Sequence, residues 1–384
     1  MAASLRRPHS PATGPLDDDD LLREVLLRLP PQPSSLSRAS AVCKRWRRLV
    51  SDAGFCRRFR IHHRRNPPLL GFFDRHQRLP FLPTLEAPNR VPPGRFSLQR
   101  DDGDRFLSLG CRHGLLLTLL IKRLQVLVWD PVTGDQHRVA IPPWIASHAD
   151  KRLINGAVFR AAGDVHFQVV LVMADGDHNN CRRAFACGYS SETALWGDLI
   201  STPITSEELF PEAAVMVGNS LYWLLDVGIL ELDLERQSLA VIQGPVLDIS
   251  VHDDFTITRA EGGGLGFLLL LDFTDQLWNC KTDCNGVAAG VLARTIELDK
   301  LLSLNPDEKR GPPRIVGFAE CNNVVFMRTV SGIFMIQLDS LLQFKKFPET
   351  NIMFCHPFEI VYASGKGYPS FTVASQDLQC FQKS

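Results

Sequence analysis

Much that would mark an enzyme is missing from this chain of 384 residues. There is no GxxxxGK[ST] run to cradle a phosphate, no GxSxG to raise a serine at a strand–helix elbow, and no HExxH to hold zinc. The glycine run Gly262-Gly263-Gly264-Leu265-Gly266 leads into an apolar strand pattern and does not open a helix, so it reads as a loop and not as a dinucleotide site. No charge of one sign prevails: Lys+Arg and Asp+Glu are both 42, and no global field points to nucleic acid or a membrane surface. No apolar run reaches the roughly eighteen residues of a membrane span. The N-terminus lacks the apolar core of a signal peptide. The ten cysteines form no repeating pairs; Cys280 and Cys284 stand as CxxxC without a matching second pair. No metal or cofactor is therefore expected, and free thiols in the cytosol or nucleus are. His113 beside Cys111 imitates a base and a nucleophile, but a single histidine in a turn at a strand start more often serves structure, and no catalytic residue is assigned.

What is present begins at residue 16. Leu22, Val25, Leu26 and Leu29 are spaced i, i+3, i+4, i+7 and predict one apolar face of a helix. Asp17 to Asp20 precede it, where acidic side chains suit the positive end of the helix dipole. Pro30 and Pro31 stop it. Pro33-Ser34-Ser35 offers the start of a second short helix, and Ala39, Val42, Trp46 and Leu49 predict a third with a basic opposite face. Three helices in about forty residues bury little surface, so a helical partner or packing on the rest of the chain is expected to complete them. The basic tail Arg57, Arg58, Arg60, His62, His63, Arg64 and Arg65 reads as a solvated helix end, since no aromatics interleave as a nucleic-acid stacking platform requires.

The pattern LLREVLLRLP, then SSLSRASAVCKRWRRLVSD, then Phe55, resembles an F-box over residues 16–60. Where F-boxes usually open with Leu-Pro, this chain reads Asp17-Asp18, with Leu16 the nearest leucine. The resemblance implies docking onto the Skp-type adaptor of an SCF ubiquitin ligase and, through it, onto a cullin. The contacts it implies are Leu22, Val25, Leu26, Leu29, Pro30, Leu36, Val42, Cys43 and Trp46, some of which must instead hold the small helical core.

Residues 1–15 read as disordered, and 61–104 as a basic, Pro-rich connector that donates a strand from about 69–83. From residue 105 the texture is all-β: apolar runs separated by turn signals. Leu115 to Leu120, Gln125 to Trp129, the turn Asp130-Pro131-Val132-Thr133-Gly134 and His137 to Ile141 make one unit. Similar units recur around Leu221 to Ile242, Gly266 to Cys280 and Val324 to Phe347, with a looser copy at Val165 to Tyr189. Repeats of this length predict stacked sheets, and closing them into a ring leaves few edges exposed. Phe358 to Tyr362 and Phe371 to Ala374 follow the last unit and can find partners only earlier in the chain, at Leu69 to Phe73 or Phe106 to Leu109. The run Cys111 to Leu117, with Val128-Trp129-Asp130-Pro131-Val132-Thr133-Gly134, resembles the opening of the F-box-associated β-propeller domains of plant F-box proteins.

The expected protein is thus α+β and multidomain: a small three-helix F-box, then a propeller-like domain of about six blades over 105–384. The function implied is substrate recognition for an SCF-type ubiquitin ligase, with a protein substrate on the propeller and neither nucleic acid nor membrane as partner. Asp150, Asp175 and Asp177 lie in long polar stretches that read as loops on one face. Two other classes are kept: a scaffold or decoy outside any ligase, and a propeller hydrolase with its site in the central channel.

Overall fold

Asp18 starts the first helix, α1 (Asp19–Leu27), by accepting the Asp20 and Leu21 N–H groups at 2.7 and 3.3 Å. Such a cap contributes about 0.5–2 kcal/mol. The computed structural model describes residues 16, 18–75, 79–98, 105–147, 154–160, 166–176, 182–205, 209–226, 228–242, 254–260, 262–271, 274–282, 288–303, 313–340, 344–348 and 351–362. The chain divides into two units, Met1–Arg65 with Val361–Ser384, and Asn66–Ile360.

Among the described residues the first unit has four helices where the periodicity predicts three. α2 (Pro33–Val42) opens on Pro33, whose missing N–H has no helical partner to lose. It stops at Cys43, which is extended and whose thiol accepts the Trp46 N–H at 3.5 Å to start α3 (Lys44–Val50). The series Ala39, Val42, Trp46, Leu49 therefore straddles two helices. α4 (Ala53–His63) is capped by Asp52, which accepts the Phe55 N–H at 2.8 Å. The stretch expected to be a solvated end is thus a helix with an inward face of Phe55, Cys56 and Phe59. These join Leu22, Leu26, Leu27, Leu36, Leu49 and Val50 in one core, together with Val361.

The second unit begins with β1 (Leu69–Asp74) and β2 (Phe81–Pro83), both inside the expected connector. A first sheet follows: β3 (Phe106–Arg112), β4 (Leu115–Leu120), β5 (Gln125–Trp129) and β6 (Gln136–Ala140). The second is β7 (Ile154–Phe159), β8 (Gln168–Gly176) and β9 (Arg182–Ser190), with its outer strand split into β10 (Leu195–Trp196) and β11 (Ile200–Pro203). The third is β12 (Val215–Val217), β13 (Ser220–Leu224), β14 (Ile229–Asp233) and β15 (Ser238–Ile242). The fourth is β16 (Asp254–Arg259), β17 (Leu265–Leu271), β18 (Thr274–Thr282) and β19 (Ala288–Glu297). The fifth is β20 (Arg314–Ala319), β21 (Val324–Thr329), β22 (Gly332–Gln337) and β23 (Phe344–Phe347). The sixth joins the two ends of the unit: β24 (Cys355–Glu359) pairs antiparallel with β1, which pairs with β2.

Side chains alternate across each strand, so one strand feeds two cores. In β8, Val169 and Leu171 pack with Leu117 and Val126 of the first sheet, while Val170 and Val172 pack with Leu221 and Trp223 of the third. The series continues through Leu224 with Phe267, Leu268 with Val325, and Phe326 with Phe72. It closes where Phe73 of the sixth sheet meets Trp129 of the first, ring centroids 5.7 Å apart. Six sheets stacked in a closed circle make a six-bladed propeller. The turn between third and fourth strands repeats one device: Asp130 accepts the Val132 and Thr133 N–H groups, and Asp233 accepts those of Glu235 and Arg236. At Gly332 a Cβ would lie 2.1 Å from the Phe347 carbonyl oxygen, and φ is +135°, so only glycine closes that hairpin.

The closing strand lies a little earlier than the expected Phe358 to Tyr362, with Leu69 opposite Glu359 and Phe73 opposite His356. Phe371 to Ala374 falls outside the described residues.

Candidate functional site

The nine expected adaptor contacts separate into two sets. Leu22, Leu26 and Leu36 are buried in the helical core, the role the sequence leaves open for some of the nine. Leucine is required at those places to hold α1 against α2 and α4. Leu29 and Trp46 pack partly on that core. Val25 and Val42 are 48% and 61% exposed, and Pro30 and Cys43 are exposed as well. Two further apolar side chains, Leu16 and Leu21, are exposed beside them and escape a reading based on helical spacing. Leu21 is passed over because its neighbour Leu22 takes the inward position. Leu16 is passed over because it precedes the helix.

Arg45 organises this surface. Its Nε donates to Asp19 at 2.7 Å and its Nη1 to the Leu16 carbonyl at 2.7 Å. That hydrogen bond, more than the neighbouring charges of Arg48 and Arg23, holds the Asp19 carboxyl below its ordinary range. The chain before α1 is thereby fixed to the start of α3, so exposed Leu16 and exposed Val42-Cys43 flank one guanidinium. Arg58 of the basic tail pairs with Glu24 of α1 at 2.7 Å, and the His63 ring contacts the Leu27 carbonyl at 2.9 Å. Asp17 lies outside the described residues.

The axis of the ring is the second place to look for chemistry. The segment Leu209–Val217, which ends in the innermost strand of the third sheet, exchanges hydrogen bonds with every other sheet. Arg75, after β1, donates to the Pro211 carbonyl at 2.7 Å. Asn155 of β7 donates to Phe210 and Glu212 carbonyls at 3.0 and 2.8 Å. Arg112 of β3 donates to the Ala214 carbonyl at 2.6 Å. Glu320, after β20, accepts the Met216 N–H at 3.3 Å, and Arg259 of β16 donates to the Met216 carbonyl at 3.2 Å. A segment that meets five other sheets must cross the middle of the ring.

The titratable groups there are tied into the structure. Glu359 accepts the Cys321 and Asn322 N–H groups and the Asn322 side-chain amide; burial, its leading influence, raises its pKa. Burial, with the Arg75 charge, pushes the His356 imidazole down to about 3, so it stays neutral. Burial likewise lifts the Cys321 thiol to about 12 and the Cys187 thiol to about 11, the reverse of what an activated nucleophile needs. His113, in a left-handed turn, accepts the Arg160 N–H at 3.2 Å, and Arg160 pairs with Asp130 at 3.2 Å; these contacts tie two turns of the first sheet to the end of β7 in the second. Among the described residues no group of His, Cys, Asp or Glu is arranged to hold a metal ion, and Cys284 lies outside them. Asp175 stands near the end of β8, while Asp150 and Asp177 lie outside the described residues.

Comparison with protein families matches residues 18–58 to the F-box domain and residues 108–363 to "F-box protein AT5G49610-like, beta-propeller". No curated protein matches the chain. Among solved structures it is similar to apo AztD from Citrobacter koseri, at 12% identity over 65% of this chain and 72% of that one, TM-score 0.32. It is also similar to the Malassezia sympodialis allergen Mala s 1, at 8% identity over 65% and 83% of the two chains, TM-score 0.37. A luciferin-regenerating enzyme gives 13% identity over 77% and 96%, TM-score 0.36.

Proposed function

The chain belongs to the F-box protein AT5G49610-like, beta-propeller family, and from that premise we propose that it is a substrate receptor of an SCF-type ubiquitin ligase in the cytosol or nucleus of a plant cell. F-box proteins with a propeller are typically such receptors, and F-box proteins are generally non-catalytic subunits. In this reading the helical unit binds a Skp-type adaptor, and the cullin through it, while the propeller holds a protein destined for ubiquitination. The chain's contribution is proximity: it raises the effective concentration of substrate lysines near the conjugating enzyme.

The observation that carries the reading is the apolar surface Leu16, Leu21, Val25 and Val42, on helices whose core is complete without it. They are four of the five large aliphatic side chains exposed among the described residues of this small unit, Ile61 being the fifth, and in this reading a partner covers them. The test is co-purification of the full chain with Skp-type adaptors and a cullin, followed by the same experiment on Val25→Asp. Recovery of adaptor and cullin with the wild type, lost in the variant, supports the receptor reading. Recovery of adaptor without cullin would favour a scaffold or decoy.

A further inference from the structure

A propeller closes its sheets around an axis but leaves an outer strand on every blade, with one row of backbone N–H and C=O groups unpaired within its sheet. Such an edge templates pairing with another chain unless something blunts it. Five of the six outer strands here are blunted in identifiable ways. β6 carries exposed His137 and Arg138, and Trp196 donates to its Ala140 carbonyl at 2.9 Å. The second sheet's outer strand is broken into two pieces and ends at Pro203. β15 turns Leu239 into the core between the second and third sheets, with Val241 packed on that core and Ile242 on the next. β23 carries Lys345 and Lys346. β2 is three residues long and ends at Pro83.

The first half of β19 has none of these; Arg294 and Glu297 lie in its second half. The strand is ten residues long, against five or fewer for the others, and Ala288 to Leu292 reads Ala-Ala-Gly-Val-Leu without a charge or proline. Val291 and Leu292 are 43% and 45% exposed. The bulge that shifts register between Leu277 and Trp278 leaves Ala293 without a partner on β18 and ends the regular run there. The pairing of β18 with β19 also continues to Thr282 opposite Ala288, whereas β17 leaves β18 at Asn279. The uncharged half of the edge therefore projects past the rest of its sheet.

We infer that this edge, Ala288–Leu292, pairs antiparallel with the same edge of a second copy of the chain. The sequence is self-complementary about Gly290. In that register Ala288 stands across from Leu292, Ala289 across from Val291, and Gly290 across from itself, so small faces large and no like charges meet. An antiparallel pairing of identical strands has twofold symmetry, which closes at two copies and leaves no growing edge. Five residue pairs bury less than the roughly 1,200–2,000 Å² of a stable interface, so the dimer is weak and depends on concentration.

Sedimentation velocity of the full chain over about a hundredfold concentration range tests this, since mass action shifts a weak dimer across such a range. The wild type should move from monomer to dimer. Val291→Lys with Leu292→Lys, both at exposed positions, should stay monomeric with unchanged thermal unfolding. The register is tested by Gly290→Cys under mild oxidation. Residues opposite each other in an antiparallel pair have Cα atoms about 4.5–5.5 Å apart, within disulfide reach. A cross-link between two copies of position 290, mapped by mass spectrometry, is the expected result, and Val291→Lys in the same chain should abolish it. A wild type that stays monomeric throughout, a lysine variant that dimerises equally, or oxidised Gly290→Cys without a 290–290 link would each overturn the inference. Gain of a different protein on this edge by an otherwise monomeric chain would overturn it as well.

Discussion

Arg112 at the end of the first sheet's innermost strand forms a largely buried ion pair with Glu320, which follows the innermost strand of the fifth sheet. The two residues are 208 positions apart in sequence. The same Arg112 donates to the Ala214 carbonyl, and the same Glu320 accepts the Met216 N–H. The pair thus clamps the segment of the third sheet that crosses the axis, tying three blades that are not consecutive.

Breaking this pair from one side leaves a buried charge with no counterpart. Arg112→Met or Glu320→Met is expected to cost about 3–5 kcal/mol. Replacing both together should cost less than the sum, because no lone charge remains. Urea unfolding of the three variants checks this; additive losses would show that the two residues act independently.

The helical unit allows surface and core to be separated by substitution. Leu26→Ala should destabilise by about 2–5 kcal/mol, since its side chain is fully buried. Val25→Asp, one position away and exposed, should leave helicity unchanged and, on the proposed function, weaken adaptor binding by about tenfold or more, because it sets a carboxylate in an apolar contact. Circular dichroism with an adaptor titration distinguishes the two. Equal loss of helicity in both would mean that Val25 is part of the core.

Arg45→Ala is expected to release Leu16 and the start of α1 from α3. The pair is partly exposed, so solvent screening keeps its contribution to overall stability small. The unit should stay folded. Amide exchange at Asp19 to Leu21 should accelerate, and unchanged exchange there would show that the capping by Asp18 suffices.

The parts of this fold that could be read in advance are those whose physics is local. Many of the middle strands are apolar runs beside aspartate or glycine turns, and β4 and β5 fall at the expected residues. The innermost strands were largely invisible. β16 reads Asp-Phe-Thr-Ile-Thr-Arg and β20 begins at Arg314, because these strands spend side chains on polar contacts between blades. Asp254 accepts both the Arg314 guanidinium and the Ile315 N–H across two sheets, a relationship no local pattern announces. On the F-box the periodicity of α1 is real, but it cannot say which side of Leu22 faces water. That depended on α4, whose apolar face is hidden among arginines.

A buried carboxyl gives the fold a pH dependence of definite sign. Asp275 of β18 is 1% exposed, and neither carboxyl oxygen has a hydrogen-bond partner among the described residues. Burial first, and the Asp254 charge second, push its pKa from an ordinary 3.8 up to about 8. The folded state therefore keeps a proton that the unfolded state releases. Stability from this group is full below about pH 4 and falls as pH rises toward 8, by at most about 1.4 kcal/mol per unit. Asp275→Asn should remove that slope, so the variant gains on the wild type as pH rises from 5 to 8. Parallel stability curves for the two would show that Asp275 does not titrate in this window.

Closure of the ring makes its last strand structural. Phe358 of β24 is fully buried, with ring centroids 5.3 Å from both Phe73 and Phe96 and 6.1 Å from Phe81. Phe73 in turn meets Trp129, so this cluster is the seam between the sixth and first sheets. On its other side Asn322 ties the sixth sheet to the fifth, donating to the Pro67 carbonyl at 3.0 Å and to Glu359 at 2.7 Å. Phe358→Ala should cost about 3–5 kcal/mol, the loss of a buried aromatic. Deleting residues 355–384 should do more, because it strips β1 of one neighbour and opens the circle at an uncovered edge. The two changes differ in what they predict. Phe358→Ala lowers the unfolding midpoint while the protein stays monomeric and the transition stays cooperative, since the backbone pairing of β1 with β24 survives. The deletion produces aggregation or loss of a cooperative transition. A deleted protein that stays soluble and as stable as the wild type would mean that β1 and β2 hold their place through the fifth-sheet contacts of Phe72 alone.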